Sequence, residues 1–369
     1  MNKFFPVILS TVLFAQTYPG DDAVRKGVHA FYNYETANAI KILEEARLDY
    51  PKNPTVHLTW AAARWLHNQA NSSVEQTYID LENDLNEVVP IYKSLTKKFP
   101  DDPNYQLYLG SATGLMARIY LGKKEWLETL NWAYSGFRII QKVEADHPDI
   151  VDAALPIGIV EYYAGLSNVI IQWGASLLGL DPSRERGLTK IERAANDGPW
   201  SWIEARGIVS FLYLWVDVDP EKALEYSGEL VEEFPGNFYF RILYTESLIR
   251  SGKMNTALTS LNILKKMVSN LTDIQKNWYF GYLQYELALY HFKERKTEKA
   301  LVYINEAVQN YGAELDFILA NAWCLKGQIH DLIHERMEAK KAYKYCIELD
   351  NYTYTIELAK SYLRTPFQN

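Results

Sequence analysis

Small residues and prolines recur along this chain at fixed spacings. Ala39 is followed by Pro51, and Ala223 by Pro235, at the same spacing of 12 residues. Ala257 lies 34 residues after Ala223. A period of this length indicates a supersecondary unit that stacks on copies of itself, because one such unit cannot bury its apolar face alone.

Within one unit, the spacing indicates a pair of helices. Gly27, Ala39 and Ala46 are small residues that allow two antiparallel helices to approach closely. Pro51 then ends the second helix, because proline has no N–H group to continue the hydrogen-bond ladder. The last unit repeats this arrangement with Trp323, Gly327, Ala339 and Tyr343.

This pattern resembles the tetratricopeptide repeat. The units that fit best span residues 20–53, 204–237, 238–271, 281–314 and 320–353. Two stretched units lie between them and end at Phe99-Pro100 and His147-Pro148. The resemblance implies an all-α fold, in which about eight antiparallel helix pairs stack into a right-handed solenoid that a last helix near 355–363 closes. Few windows alternate with the period of a strand, which independently favours helices.

The N-terminus predicts export. Lys3 precedes an apolar run of 11 residues from Phe4 to Phe14, and Ala15 offers a small residue for cleavage. The run is shorter than the roughly 20 residues that a membrane helix needs. We therefore expect residues 1–15 to be a signal peptide, residues 16–369 to form one solenoid, and the protein to be periplasmic or associated with the outer membrane. A buried first helix is the alternative.

Charge and motifs exclude several functions. The chain has 46 acidic and 38 basic residues and no basic run, so we expect no nucleic-acid partner. His330 and His334 are spaced as two metal ligands on one helix, but the repeat places His334 in a turn. A calcium loop at 80–91 lacks the required glycine and final glutamate. We expect no enzyme, metal or cofactor; carboxylate or metal chemistry in the central or C-terminal helices is a lesser alternative.

Residues 151–200 depart from the repeat. The stretch 162–180 has no charged residue, which leaves three interpretations: a helix buried at the middle of the solenoid, a membrane helix, or an interfacial helix that contacts lipid or a partner. Any membrane contact is expected only there. Ser183-Arg184-Glu185-Arg186-Gly187-Leu188 follows this stretch, and residues 156–235 resemble the family of tetratricopeptide protein 39 and Iml2, although Pro182-Ser183 replaces its usual Gly-Asp. That resemblance implies a non-enzymatic helical repeat protein.

The tetratricopeptide resemblance also implies where a partner binds, because first-helix residues at fixed repeat positions line the concave face of that family. Those positions hold Phe31, Tyr32, Leu212, Trp215, Tyr239, Glu246, Arg250, Tyr282, Tyr285, Phe292, Cys324, Gln328 and Asp331. Aromatic rings with a few charges suit a protein or peptide partner, and alternatively a small ligand or glycan. The same rings could instead belong to the core.

The repeat positions also give an expectation for the two cysteines. Cys324 occupies a concave-face position, whereas Cys346 occupies a packing position of the second helix. We therefore expect the two thiols not to face each other and to be free.

Overall fold

The computed structural model describes residues 17–123, 125–167, 179 and 182–368, and within these ranges the chain is helical and has no strand. The predicted signal peptide and most of the uncharged stretch after Ser167 lie outside the described residues. The helices are α1 (Asp21–Tyr32), α2 (Thr36–Asp49), α3 (Val56–Asn71), α4 (Val74–Lys98), α5 (Pro103–Gly122), α6 (Trp126–Asp146), α7 (Ala154–Leu166), α8 (Arg184–Asp197), α9 (Trp202–Trp215), α10 (Pro220–Glu233), α11 (Phe238–Arg250), α12 (Met254–Met267), α13 (Asp273–Lys293), α14 (Thr297–Gln309), α15 (Phe317–Leu332), α16 (Arg336–Glu348) and α17 (Tyr354–Arg364).

Among the described residues, consecutive helices pack against each other as eight pairs, from α1–α2 to α15–α16, and α17 closes the stack. First helices of successive pairs also pack together along the C-terminal half, from α9 to α17. The chain is therefore a tetratricopeptide-like helical solenoid, which confirms the predicted all-α fold, the number of pairs and the closing helix.

The turn inside each regular pair has one backbone geometry. Five residues before the buried alanine of the second helix, the backbone enters the left-handed region, at Tyr34, Val218, Gly252, Arg295 and His334. In four of these turns, the next residue donates its N–H to the carbonyl five residues earlier, as in Glu35 to Ala30 at 3.0 Å. This bond satisfies a carbonyl that the end of the first helix leaves free.

Two central pairs, α5–α6 and α7–α8, rely on backbone contact between helices. A Cβ atom on Gly136 of α6 would lie 2.5 Å from the backbone nitrogen of Gly114 on α5. In the next pair, a Cβ atom on Gly187 would lie 2.4 Å from the backbone nitrogen of Tyr162. Only glycine permits such an approach, so these two pairs are held more closely than side chains would allow.

A single helix through 162–180 is not observed. Helix α7 ends at Leu166, and Ser167 has an extended backbone. The chain is already beside α7 again at Ser183, whose N–H donates to the carbonyl of Glu161 at 3.2 Å. The uncharged stretch is therefore not one helix continuous with α7, and the three interpretations of its remainder, which lies outside the described residues, stay predictions. No helix among the described residues is long and apolar enough to cross a membrane.

The solenoid curls until its first pair contacts later pairs. The hydroxyl groups of Tyr34 and Tyr279 lie 2.8 Å apart although 245 residues separate them. Thr272 Oγ1 donates to the carbonyl of Ala70 at 2.6 Å, across 202 residues. Contacts of this kind turn the concave face into an interior that the N-terminal and C-terminal halves enclose together.

Candidate binding cavity inside the superhelix

The enclosed interior holds a cavity with two lobes. The lobes measure about 400 Å³ and about 360 Å³, and Phe31, Tyr32, Ile159 and Glu204 line both of them. Every described α-helical residue that lines either lobe lies on the first helix of a pair, from α1 to α13. The first helices, which the resemblance predicted to line the concave face, thus form the wall of this cavity.

Aromatic rings form much of the wall near the junction of the lobes. Phe31 and Tyr32 meet edge to face with ring centres 4.7 Å apart, and Tyr32 stacks on Phe240 at 5.9 Å. Tyr239 and Tyr279 line the first lobe, and the latter is fixed by its contact with Tyr34. Contacts between rings hold these side chains in place, so the apolar wall is largely preformed.

Among the described residues, Glu204 is the one carboxylate that lines both lobes. It lies in the first turn of α9, and its side chain is exposed to solvent at the cavity wall. Its Oε1 accepts a hydrogen bond of 2.8 Å from the hydroxyl of Tyr32. Partial desolvation by the surrounding walls raises the pKa of Glu204, and the Tyr32 hydrogen bond only partly opposes that rise.

Asp152 places a second carboxylate on the wall of the second lobe. Its Oδ1 accepts hydrogen bonds from the backbone N–H of Trp200 at 3.1 Å and of Ser201 at 2.8 Å, and from the Ser201 hydroxyl at 2.7 Å. Asp152 therefore fixes the start of α9, the helix that carries Glu204. No Lys, Arg or His among the described residues lines either lobe, so the formal charge on this wall is negative.

The predicted concave-face residues fall into three groups. Phe31, Tyr32 and Tyr239 line the cavity. A smaller cavity of about 140 Å³ near the C-terminus is lined by Arg250, Tyr285, Phe292, Cys324 and Gln328, of which Tyr285 and Cys324 are buried. Leu212, Trp215, Glu246, Tyr282 and Asp331 are buried in the core. Whether any of these residues binds a partner stays a prediction, but Trp215 is not accessible to one.

The buried members of that set form a polar network of their own. Trp215 Nε1 donates to Glu246 Oε2 at 2.8 Å, and Arg250 Nε donates to Glu246 Oε1 at 2.6 Å. The Tyr285 hydroxyl donates to the same oxygen at 3.1 Å. Because these side chains satisfy each other's polar groups, their burial between α9, α11 and α13 needs no external partner.

Glu286 lies beside this network, but its carboxyl group lacks the donors that Glu246 has. It is fully buried, and neither of its oxygens has a donor among the described residues. Burial and the neighbouring Glu246 carboxylate raise the pKa of Glu286 well above its ordinary value. The raised pKa favours the neutral carboxyl group of Glu286 beside the Glu246 carboxylate.

The two histidines considered as metal ligands do not share a helix. Helix α15 ends at Leu332, and His334 occupies the left-handed turn with φ 66°. Buried His330 instead lies 2.8 Å from Glu335 through its Nδ1. The carboxylate of Asp331 accepts from Arg336 at 2.9 Å and from the Tyr343 hydroxyl at 2.9 Å. Among the described residues, no three potential ligands cluster as a metal site would require.

The structure corrects the expectation that the two cysteine thiols do not face each other. Cys324 and Cys346 belong to one small core between α15, α16 and α17, and both are free thiols. The Cys346 Sγ donates to the carbonyl of Thr355 at 3.7 Å, and the neighbouring Cys346 thiol together with burial raises the pKa of the Cys324 thiol. The prediction that they do not face each other is therefore wrong, because the first-helix position of Cys324 points into this core rather than into an open groove.

Sequence reasoning missed Glu204, Asp152 and Phe211, which lie outside the repeat positions that line the concave face of tetratricopeptide proteins. A signal for Glu204 is nevertheless present. Helix α9 carries only two charged residues, Glu204 and Arg206, and the guanidinium of Arg206 pairs with Glu229. Glu204 is therefore the charged residue of this apolar helix that has no ion-pair partner among the described residues.

Comparisons with known proteins bear on the fold. No protein-family model matches the sequence, and no curated protein matches it. A tetratricopeptide repeat protein from Parabacteroides merdae is similar, at 14% identity over 94% of this chain and 97% of the other, with a TM-score of 0.34. NprR in complex with its cognate peptide NprX has 12% identity over 94% and 82%, with a TM-score of 0.41. Yeast Tom70 has 12% identity over 93% and 94%, with a TM-score of 0.28.

Structural similarities with TM-scores this low carry no argument about function. The assignment to the tetratricopeptide type rests on the chain's own repeat, its eight helix pairs and the turn geometry that they share. The local resemblance of residues 156–235 to tetratricopeptide protein 39 and Iml2 stays a prediction. The chain is a tetratricopeptide-like helical repeat protein.

Proposed function

We propose that this protein is a non-enzymatic scaffold that binds a short segment of a protein partner inside its superhelix, in the bacterial cell envelope. The observation that carries the proposal is the two-lobed cavity, whose helical lining comes only from first helices. Its walls are mostly apolar and aromatic, and its volume suits a few side chains rather than a folded domain. An extended peptide that threads this interior would leave the rest of the partner outside.

A binding selection tests this function. A displayed library of random 12-residue peptides is panned against the wild-type protein and against variants that fill one lobe each, Ala62→Trp and Ile208→Trp. Leu48→Trp is the matched control, because Leu48 is 82% exposed on the outside. We expect the wild type and the control to enrich the same peptides and the two filled variants to lose them. Enrichment that persists in both filled variants would contradict binding in the cavity.

A small apolar ligand is the second candidate, because each lobe has the size of a small-molecule pocket. The apolar wall favours such a ligand over a glycan, which needs more hydrogen-bonding groups than this wall offers. Native mass spectrometry of the purified protein separates the two candidates. A bound small molecule that is lost from Ala62→Trp would support this alternative.

The envelope location rests on the apolar N-terminal run alone. Cell fractionation combined with N-terminal sequencing of the mature protein tests it. We expect a chain that begins at Gln16 in the envelope fraction. A chain that still begins at Met1 and stays in the cytosol would contradict the proposal.

A further inference from the structure

We propose that the bound segment carries a Lys or Arg side chain, and that this cation binds Glu204 where the two lobes meet. The inference rests on the proposed function and specifies the chemistry of the partner. Apolar side chains on either side of the cation would fill the two lobes, whose shared wall includes Phe31 and Tyr32.

The first argument is that Glu204 lacks a compensating charge. Its one observed hydrogen bond comes from a neutral phenol, Tyr32, and no ion pair to Glu204 occurs among the described residues. Two buried carboxylates are paired with a cation, by contrast: Glu246 pairs with Arg250 at 2.6 Å, and Asp331 pairs with Arg336 at 2.9 Å. Glu204 is exposed to the cavity and has no cation beside it, so its carboxylate is available to pair with a cation that a ligand supplies.

The second argument is the negative formal charge of the described cavity wall. Asp152 is the only other ionisable carboxylate among the lining residues, and it adds negative potential to the second lobe. A cation would meet no like charge on the described walls, whereas an anionic segment would meet two. Charge complementarity of this kind decides which partners a cavity rejects.

The third argument is the aromatic surround. Tyr32 donates its hydroxyl to Glu204 while its ring packs between Phe31 and Phe240. Electron-rich ring faces beside a carboxylate stabilise an ammonium or guanidinium group more than either feature alone. The long methylene chain of Lys or Arg also suits an apolar passage that ends at a charged group.

Composition of selected peptides tests the inference. The 12-residue library is flanked on both sides by fixed Gly-Ser, so that no free terminal amine reaches the cavity. It is panned on the wild type, Glu204→Gln, Glu204→Met and, as an outer-surface control, Glu298→Gln. We expect at least a twofold excess of Lys and Arg over the unselected library for the wild type and Glu298→Gln, and no excess for either Glu204 variant.

The outcomes separate the inference from the function on which it rests. Peptides that Ala62→Trp or Ile208→Trp excludes, but that show no excess of cations, would overturn the inference and leave the proposed function standing. An equal excess of Lys and Arg on the Glu204 variants would also overturn it. If the wild type enriches no peptide that depends on the cavity, the proposed function fails and the inference with it.

Discussion

The hydroxyl of Tyr32 on α1 donates a hydrogen bond of 2.8 Å to Oε1 of Glu204 on α9, across 172 residues of sequence. Both side chains line both lobes of the cavity. The bond therefore does two things: it ties the first helix pair to the fifth, and it orients the carboxylate at the centre of the candidate site.

Removing the hydroxyl tests this connection. We expect Tyr32→Phe to lower the free energy of unfolding by about 0.5–1.5 kcal/mol, because the hydrogen bond is lost while water can still solvate the exposed carboxylate. Chemical denaturation measures the change. Tyr345→Phe is the control, since Tyr345 is about half exposed and contacts Trp323 through its ring. Equal, negligible effects in both variants would show that the bond does not stabilise the closed superhelix.

Glu286 makes the free energy of unfolding depend on pH, and its raised pKa gives the direction of the change. The pKa of Glu286 is raised in the folded state, so its contribution to stability is complete below the unfolded pKa of about 4.3 and is lost as pH rises towards the folded value. Glu286→Gln removes this loss. We expect its stability relative to wild type to increase with pH above about 4.3, by up to about 1.4 kcal/mol per pH unit. A difference that stays constant from pH 4 to pH 8 would contradict a protonated Glu286.

Replacing the neighbouring carboxylate of Glu246 should instead destabilise the protein. Glu246 accepts hydrogen bonds from Trp215, Arg250 and Tyr285. Glu246→Gln leaves the buried guanidinium of Arg250 without its counter-charge, and we expect a loss of about 3–5 kcal/mol near neutral pH. Denaturant unfolding of both Glu→Gln variants at pH 7 provides the comparison. A stable Glu246→Gln protein would mean that the network contributes little.

The shared turn geometry predicts opposite effects at two glycines. Gly252 has φ 71° and no heavy atom within 4 Å of where a Cβ would lie, so Gly252→Ala should cost about 1 kcal/mol through the backbone alone. Gly114 lies inside α5 and its Cβ position is equally open. Gly114→Ala should therefore stabilise the protein by about 0.5–1 kcal/mol. The same sign for both substitutions would contradict the left-handed turn.

The two thiols should be unreactive in the folded protein. Cys324 and Cys346 are buried together, and the pKa of the Cys324 thiol is raised, so little thiolate is available at pH 8. We expect a colorimetric thiol reagent to titrate two cysteines per chain after denaturation and almost none before it. Rapid reaction of the native protein at pH 8 would contradict the small C-terminal core.

Local periodicity was enough to predict the architecture. Ala39 and Ala339 mark second helices because close packing needs a small residue there, and both are fully buried. The same periodicity could not distinguish core residues from cavity-lining residues, since Trp215 and Tyr239 both occupy repeat positions that face the inside of the curve. Their different exposure depends on how neighbouring pairs stack. Helix α9 marks Glu204 as a charge in an apolar helix, but it could not show that Glu204 lines a cavity, because its hydrogen-bond partner Tyr32 lies 172 positions away.

The central claim is that a cation of the partner binds Glu204, and a double-mutant cycle on the dissociation constant tests it most directly. One peptide selected on the wild type is synthesised with its Lys or Arg and with norleucine in that place, both ends blocked. Binding of both peptides to the wild type and to Glu204→Gln is measured by calorimetry. We predict that norleucine weakens binding to the wild type at least tenfold and has less than a twofold effect on Glu204→Gln. An equal effect of norleucine on both proteins would show that the cation binds elsewhere and would contradict the account.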